Sequence, residues 1–290
     1  LVTAQGFPLA HQVFKGNMFE GHTMLTVLED FQARYGAEKP VIVGDAAMLS
    51  QSNLRTLEDK GYYYIVGARL ANAKATFIEA LCNILPKNDG ASIRMPYQSA
   101  SCDVICTYSE ARYRKDKRDF NKQIEKANRL IARQEPGKRA KFVKKKRDDS
   151  HAYFFDEELK QKTEQLLGIK GYCTNLPESL HSNEQVVSHY HELWRIEQAF
   201  RMSKTDLKAR PIFHYAHDAI KAHVLLCFMA LMISKFLEIK TGLSVQCIRD
   251  ILWNVHEAHI EDTFTGKRIT LQTNLEEYHA SGLADILKPH

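Results

Sequence analysis

Two short apolar runs constrain the architecture of this chain more than any other feature. They are Pro40-Val41-Ile42-Val43-Gly44-Asp45 and Tyr62-Tyr63-Tyr64-Ile65-Val66. Runs this short and this uniformly apolar are typical of strands buried on both faces, because a helix needs ten or more residues to pack a stripe. Between them Leu54 and Leu57 repeat at helical spacing, and Ser50 is placed to cap a helix reaching about Lys60. Upstream, Met24, Leu25, Val27, Leu28, Phe31 and Tyr35 predict a helix over 22–35. Pro8 to Phe14, bounded by Gly6 and Gly16-Asn17, predicts a strand, with Leu1-Val2-Thr3 as the end of its hairpin partner. The resulting β-β-α-β-α-β order opens an α/β domain. An acid, Asp45, stands where the first buried strand stops.

The middle of the chain changes character. Strand-like pieces near Ser92 to Met95 and Asp103 to Tyr108 lead to a basic helix over about 119–133, then Pro136-Gly137 and a Lys-Lys-Lys-Arg cluster at 144–147. Residues 67–168 read as an insertion or second lobe between residues 1–66 and a continuation over 169–240. That continuation holds a strand at Lys170 to Cys173, a turn at Thr174 to Pro177 and one long helix from about Asn183 to Thr205. From Pro211 the chain reads as largely helical around an apolar helix over 218–238, with 241–290 as a helical tail. The longest apolar run, Val224 to Ser234, is too short to span a bilayer of about 30 Å, so a core helix and no membrane association are expected.

Charge is unevenly placed. The 290 residues carry a formal net charge of +5. Between Arg112 and Arg147, sixteen Lys/Arg stand against four Asp/Glu, a local +12 that leaves −7 for the rest. Such asymmetry points to a polyanionic partner, nucleic acid before an anionic membrane, and makes this lobe a candidate clamp. The alternative is a solvated charge face with no partner. The six cysteines are scattered without paired CxxC sets, which fits buried thiols in a reduced cytosolic protein.

On the 183–205 helix, Tyr190, Leu193, Glu197 and Lys204 are spaced so that seven residues return the chain to within about 20° of the same azimuth. A carboxylate thus projects beside a tyrosine and a lysine, with Arg195 and Arg201 elsewhere on the helix. On spacing alone Glu197 reads more readily as a boundary residue in a salt bridge. Together with Asp45 it makes a pair of hard oxygen donors, the ligand type that Mg²⁺ takes while leaving room for phosphate oxygens. His189, His191, His214 and His217 read as hydrogen-bonding side chains, since such a site uses oxygen ligands.

The string Tyr190-His-Glu-Leu-Trp-Arg-Ile-Glu197-Gln-Ala-Phe-Arg-Met-Ser-Lys204 resembles the Tyr-Arg-Glu-Lys signature of bacterial insertion-sequence DDE transposases of the insertion-sequence-four family. Gly6-Phe-Pro-Leu, Gly16-Asn17, Gly44-Asp45-Ala-Ala-Met-Leu, Tyr63 to Arg69 and Arg210-Pro211-Ile-Phe-His214 are similar to the same family, in order, over about residues 1–240. The resemblance implies an α/β fold, a ribonuclease-H-like transposase core with a basic insertion lobe and a helical C-terminal part. It implies metal-dependent DNA cleavage and strand transfer at transposon ends. Asp45 and Glu197 become the second and third acids of the triad and ligands to Mg²⁺ or Mn²⁺. Tyr190 and Lys204 become DNA contacts, with double-stranded end and target DNA as partners and a homodimer on DNA. A bacterial cytoplasmic, nucleoid-associated protein is expected.

Two positions depart from the family. The signature Arg falls on Leu193, so Arg195 or Arg201 is expected to supply its phosphate contact. The first catalytic Asp has no counterpart between Leu1 and Gly44, where the acids Glu20, Glu29, Asp30 and Glu38 lie in or beside a helix. Because the chain also begins at Leu1, a fragment lacking its first core strand, and inactive alone, is expected. The competing readings are a non-catalytic nucleic-acid-binding module and a ribonuclease-H-like nuclease that does not join strands.

Overall fold

The computed structural model describes residues 2–3, 5–14, 20–36, 40–45, 51–97, 102–133, 139–145, 153–273 and 275–287. The expectations for Gly16-Asn17, Ala46 to Ser50, Pro136-Gly137 and Lys146-Arg147 lie outside these residues. Two compact units divide the chain: a central unit, Met18–His191, and a terminal unit built from Leu1–Asn17 and Glu192–His290.

The central unit opens with α1 (Glu20–Tyr35), β1 (Ile42–Gly44), α2 (Gln51–Asp59) and β2 (Tyr64–Ala68), where the apolar spacing places them. It continues with α3 (Ala75–Ile84), β3 (Ser92–Pro96), β4 (Asp103–Tyr108), α4 (Glu110–Arg133), β5 (Val143–Lys145), β6 (Tyr153–Phe155), α5 (Glu157–Gln165), β7 (Ile169–Thr174) and α6 (Asn183–His191). Five strands form one mixed sheet in the order β1-β2-β7-β4-β3. β1 runs parallel to β2, with Ile42 opposite Tyr64, while β7 is antiparallel to both β2 and β4.

Side chains alternate across a strand, which sorts the core into two layers. Tyr64, Val66, Val104, Cys106 and Cys173 meet Leu28 of α1, Leu57 of α2 and Leu81 of α3 on one face. Ile65 and Ile105 meet Val186 of α6 on the other. Burial on both faces is why the strands read as unbroken apolar runs. Beyond β7 the ladder is continued by side chains: the Thr174 hydroxyl donates to the Tyr64 carbonyl at 2.7 Å, and Asn175 accepts from the Tyr64 N–H and donates to the Tyr62 carbonyl, both at 2.9 Å.

The 67–168 segment contributes two strands, β3 and β4, to this sheet. Val104, Ile105 and Cys106 are fully buried, which fixes them in its interior. What stands beside the sheet is a small core of its own, in which Phe120 and Ala127 of α4 pack on Phe142, Leu167 and the β5–β6 hairpin. The basic helix begins at Glu110, nine residues before the charge pattern suggests, because Tyr113 also packs inward.

The terminal unit differs from expectation at three places. Residues 8–14 form no strand. Val2 and Pro8 make an antiparallel bridge, closed by Gly6 at φ +82°, and beyond it Leu9 is exposed, with no strand beside it among the described residues. The single helix over 183–205 is interrupted at Glu192, leaving α6 in the central unit and starting α7 (Leu193–Thr205) in the terminal one. The tail over 241–290 is not all helical. After α8 (His217–Thr241) and α9 (Val245–Asn254) come β8 (His256–Glu261) and β9 (Arg268–Thr273), an antiparallel hairpin, followed by α10 (Leu275–Ala280) and α11 (Leu283–Ile286). Ala258 opposite Leu271 and Ile260 opposite Ile269 put the apolar residues on one face of it, a period of two that excludes a helix.

Helix α8 is longer than the run Val224 to Ser234 suggests, and by length and composition it is long enough to cross a bilayer. Part of its surface is packed within the unit. Leu231 meets Ala199 and Met202 of α7, and Leu237 meets Ile248 and Ile251 of α9. A buried Lys235 pairs with Glu238 at 2.8 Å, and the second Glu238 oxygen accepts the Val245 N–H at 3.1 Å, tying the start of α9 to α8.

Candidate active site and nucleic-acid interface

Asp45 is placed by β1. The strand is held by its parallel pairing to β2 and by burial of Ile42 and Gly44, and the chain leaves it at an exposed Asp45. An acid directly after a buried strand has a fixed backbone origin.

Glu197 is placed by α7 in the terminal unit. Ala199 and Met202 of that helix are buried against α8. Two residues amount to about 200° of rotation, so Glu197 stands on the side of α7 away from that packed face, and it is exposed. Arg201 and Lys204 are exposed on the same helix. The Lys204 ammonium lies 5.9 Å from the ring centroid of Phe200, which is 61% exposed. A large aromatic left in solvent beside a cation is a surface that suits stacking and phosphate contact.

Arg195 is in a different situation from Arg201. It is half-buried, its guanidinium lies 5.3 Å from the Trp194 ring, and a Cβ built on Gly6 would approach its Cβ to 3.3 Å. Its Nε has no hydrogen-bond partner among the described residues. Of the two arginines expected to replace the signature Arg, Arg201 is the exposed one.

Tyr190 lies on α6 in the central unit, where its ring meets Tyr172 edge-on at 4.9 Å and sits under the Lys170 ammonium at 4.4 Å. The shared azimuth of Tyr190, Leu193, Glu197 and Lys204 therefore holds on one helix only for the last three. The neighbouring His191 takes up the hydrogen-bonding role expected of it, with its Nε2 3.2 Å from the Tyr172 hydroxyl. Burial, and then the Lys170 charge, push its pKa down, favouring the neutral ring.

Asp45 belongs to the central unit and Glu197 to the terminal one. Among the described residues no group of three or more His, Cys, Asp or Glu is gathered for a metal. By donor chemistry each acid is of the hard-oxygen type that Mg²⁺ or Mn²⁺ takes, and both residues are exposed. The thiols do not: Cys106 is buried and its pKa is pushed up to about 12, chiefly by that burial.

Sequence reasoning finds the basic lobe but not its internal sorting. Along α4, Arg112 pairs with Asp116, Arg114 with Glu110, Lys117 with Glu164 of α5, and Arg129 with Glu125. Lys115, Arg118, Lys122 and Lys126 form no ion pair among the described residues and are exposed. The i, i+4 spacing of the first, second and fourth pairs is a signal that could have found them; the Glu164 pair depends on the fold.

No curated protein matches the chain. The family described as Transposase DDE domain matches residues 1–233, which covers all of α1 to α7, both acids and the whole basic lobe. With four-fifths of its length matched, this chain belongs to the transposase DDE domain family.

Proposed function

We propose that the chain is part of a DNA transposase of an insertion sequence, of the insertion-sequence-four type, with a ribonuclease-H-like core acting in the cytoplasm. The reading is that the enzyme cleaves DNA at the element's ends and joins the freed 3′-hydroxyl to target DNA, as a homodimer on DNA. Asp45 and Glu197 are assigned as the second and third acids of the triad. The observation that carries the reading is the family match over residues 1–233 together with the exposed carboxylates at those two positions.

Asp45 and Glu197 would hold Mg²⁺ or Mn²⁺. When bound, such ions activate an attacking oxygen and stabilise the leaving one. The remaining residues position DNA. Arg201 and Lys204, exposed on α7, neutralise backbone phosphates, and Phe200 and Trp194, 61% and 54% exposed, offer stacking faces. Tyr190, and Arg195 through its partly buried guanidinium, are assigned to the same contact region. The resemblance gives the family's first Asp no counterpart between Leu1 and Gly44, so Asp45 and Glu197 are the two acids of the triad assigned here.

A second reading is a non-catalytic binding module, favoured by the basic face of α4, which is independent of both acids. The deciding assay joins the family's first strand, with its Asp, ahead of Leu1 and measures Mg²⁺-dependent nicking and joining of element-end DNA. Nicking abolished by Asp45→Asn and by Glu197→Gln, with DNA binding retained, is expected. Absence of any nicking supports the binding module. Nicking that survives Glu197→Gln refutes the assignment of that acid, and nicking without joining supports a nuclease.

A further inference from the structure

The β8–β9 hairpin lies beyond residue 233, where the family match ends. All six residues of β8 and every residue from Arg268 to Gln272 are exposed, so neither face is covered among the described residues. One face is polar and paired within itself: Arg268 meets Glu261 at 3.3 Å, the His259 Nδ1 lies 3.1 Å from the Thr270 hydroxyl, and Gln272 donates to Glu257. The other face carries Ala258, Ile260, Ile269 and Leu271, and Ile260, Ile269 and Leu271 are each about half exposed. A hairpin of two strands is marginal alone in water and gains stability from further strands.

The sheet has two strands, so among the described residues each strand keeps one free edge. The Asp262 N–H donates to the Lys267 carbonyl at 2.9 Å, and hydrogen-bonded and non-bonded pairs alternate along the ladder from there. Ile260 with Ile269 and Ala258 with Leu271 are thus bonded pairs, and the backbone groups of Arg268, Thr270 and Gln272 point away from β8.

The two edges differ in charge. The outward positions of β8 include Glu257 and Glu261, and charged side chains are a device by which edge strands avoid pairing. Two β8 strands in antiparallel register at His259 would set Glu257 opposite the partner's Glu261, and like charges directly opposite destabilise. Strand β9, Arg-Ile-Thr-Leu-Gln-Thr, holds no acid, Lys or Pro and is rich in strand-forming residues. Two β9 strands in antiparallel register at Thr270 set Arg268 opposite the partner's Gln272 and Ile269 opposite the partner's Leu271, with no like charges facing. The bonding phase agrees. The outward groups of Arg268, Thr270 and Gln272 meet their counterparts in bonded pairs, about six hydrogen bonds, and Ile269 falls at the non-bonded position where side chains come closest.

We propose that β9 pairs with β9 of a second copy of this chain, antiparallel and in register at Thr270, joining two hairpins into one four-stranded sheet. The contact is isologous, so it closes at two copies, with the acidic β8 strands as its outer edges. It goes beyond the homodimer on DNA proposed above, since it needs neither DNA nor metal.

The test uses the chain from Leu1 to His290 without DNA, in EDTA, by sedimentation. One short strand per copy buries less than about 1,200 Å², the size of weak interfaces, so a shift from one chain to two with a dissociation constant of about 10–100 µM is expected. Thr270→Lys sets like charges opposite each other and should weaken association at least about tenfold. Thr270→Pro removes a donor that faces away from β8 and should do the same. Thr270→Lys keeps the backbone ladder, so it decides if the proline variant loses the hairpin. Register is read by cross-linking in oxidised glutathione. The Thr270→Cys position has its Cα about 5.5 Å from its counterpart, within disulfide reach, and should link two chains. The Gln272→Cys position lies about 14 Å from its counterpart and should link no more than wild type does. A single chain at every concentration, association untouched by Thr270→Lys, or equal cross-linking from Gln272→Cys overturns the proposal. Growth past two chains overturns the closed register in favour of β9 on β8. Association that appears only with element-end DNA overturns this contact and leaves the homodimer on DNA standing. Absence of nicking while the Thr270-dependent dimer persists sinks the transposase reading alone.

Discussion

Replacing Thr174 by valine tests how the central sheet is held at the end of β7. Thr174 is fully buried, its hydroxyl donates to the Tyr64 carbonyl at 2.7 Å, and it accepts the Leu176 N–H at 3.1 Å. Valine has nearly the same shape and a high strand propensity, so packing and backbone preference change little. What is lost is the partner of two buried backbone groups, each costing about 1–3 kcal/mol when left unsatisfied. A loss of about 2–4 kcal/mol is expected, which for a unit of this size lowers Tm by roughly 5–15 °C. Thr174→Ser keeps the hydroxyl and loses one methyl, about 1 kcal/mol. The assay exploits composition: both tryptophans, Trp194 and Trp253, belong to the terminal unit, and ten of the twelve tyrosines belong to the central one. Urea unfolding followed by tyrosine emission after Trp194→Phe and Trp253→Phe should show the loss. A valine variant within 0.5 kcal/mol of wild type, or a serine variant as damaged as the valine one, would refute the reasoning.

Glu238→Gln should destabilise the terminal unit by about 3–5 kcal/mol, because Lys235, whose side chain is only 5% exposed, would lose its counter-charge. Thermal unfolding by tryptophan emission reads this, and adding Lys235→Met should recover at least half; a single variant that loses under 1 kcal/mol sinks the idea. Alkaline stability should also fall in a defined window. Burial pushes Cys106 and Tyr97 up to about 12, above the ordinary thiol and phenol values, and raises Tyr64 as well, so the folded chain keeps protons that the unfolded chain gives up. Stability from these groups is fully present below about pH 9 and is lost as pH rises toward about 12. Urea midpoints measured from pH 8 to 11 should decline, and a flat profile above pH 9 would contradict the burial of these groups.

Much of the central unit is legible in the chain because its strands are buried on both faces and its helices are amphipathic, so α1, β1, α2, β2 and β7 announce themselves. The interruption at Glu192 is not, since a residue at φ −64° and ψ −14° barely departs from helical values and the apolar spacing runs straight through it. The expected strand over 8–14 fails for the opposite reason: its local pattern is adequate, but a strand needs a neighbour, and among the described residues none is beside it past Pro8. The β8–β9 hairpin was readable in the alternation of Ala258 and Ile260 with Ile269 and Leu271, and its Thr265-Gly266 turn. For the candidate site, positions of the acids come from the resemblance, while exposure comes from packing: Ala199 and Met202 decide which way Glu197 faces. The different fates of Arg195 and Arg201 could not be read from charge, because Arg195 lies against Gly6, far away in sequence.

That approach of Arg195 to Gly6 also sets an order of events during synthesis. The first seventeen residues belong to a unit whose other members begin at Glu192. At about 5–20 residues per second a ribosome needs roughly 10–35 s to cover the intervening stretch. For that time residues 1–17 lack the rest of their unit, while the five strands of the central sheet are being made. Nascent chains stalled just past residue 230 should therefore hold a protease-resistant sheet and still be cut within residues 5–14; resistance of both together would show that this segment finds another shelter first.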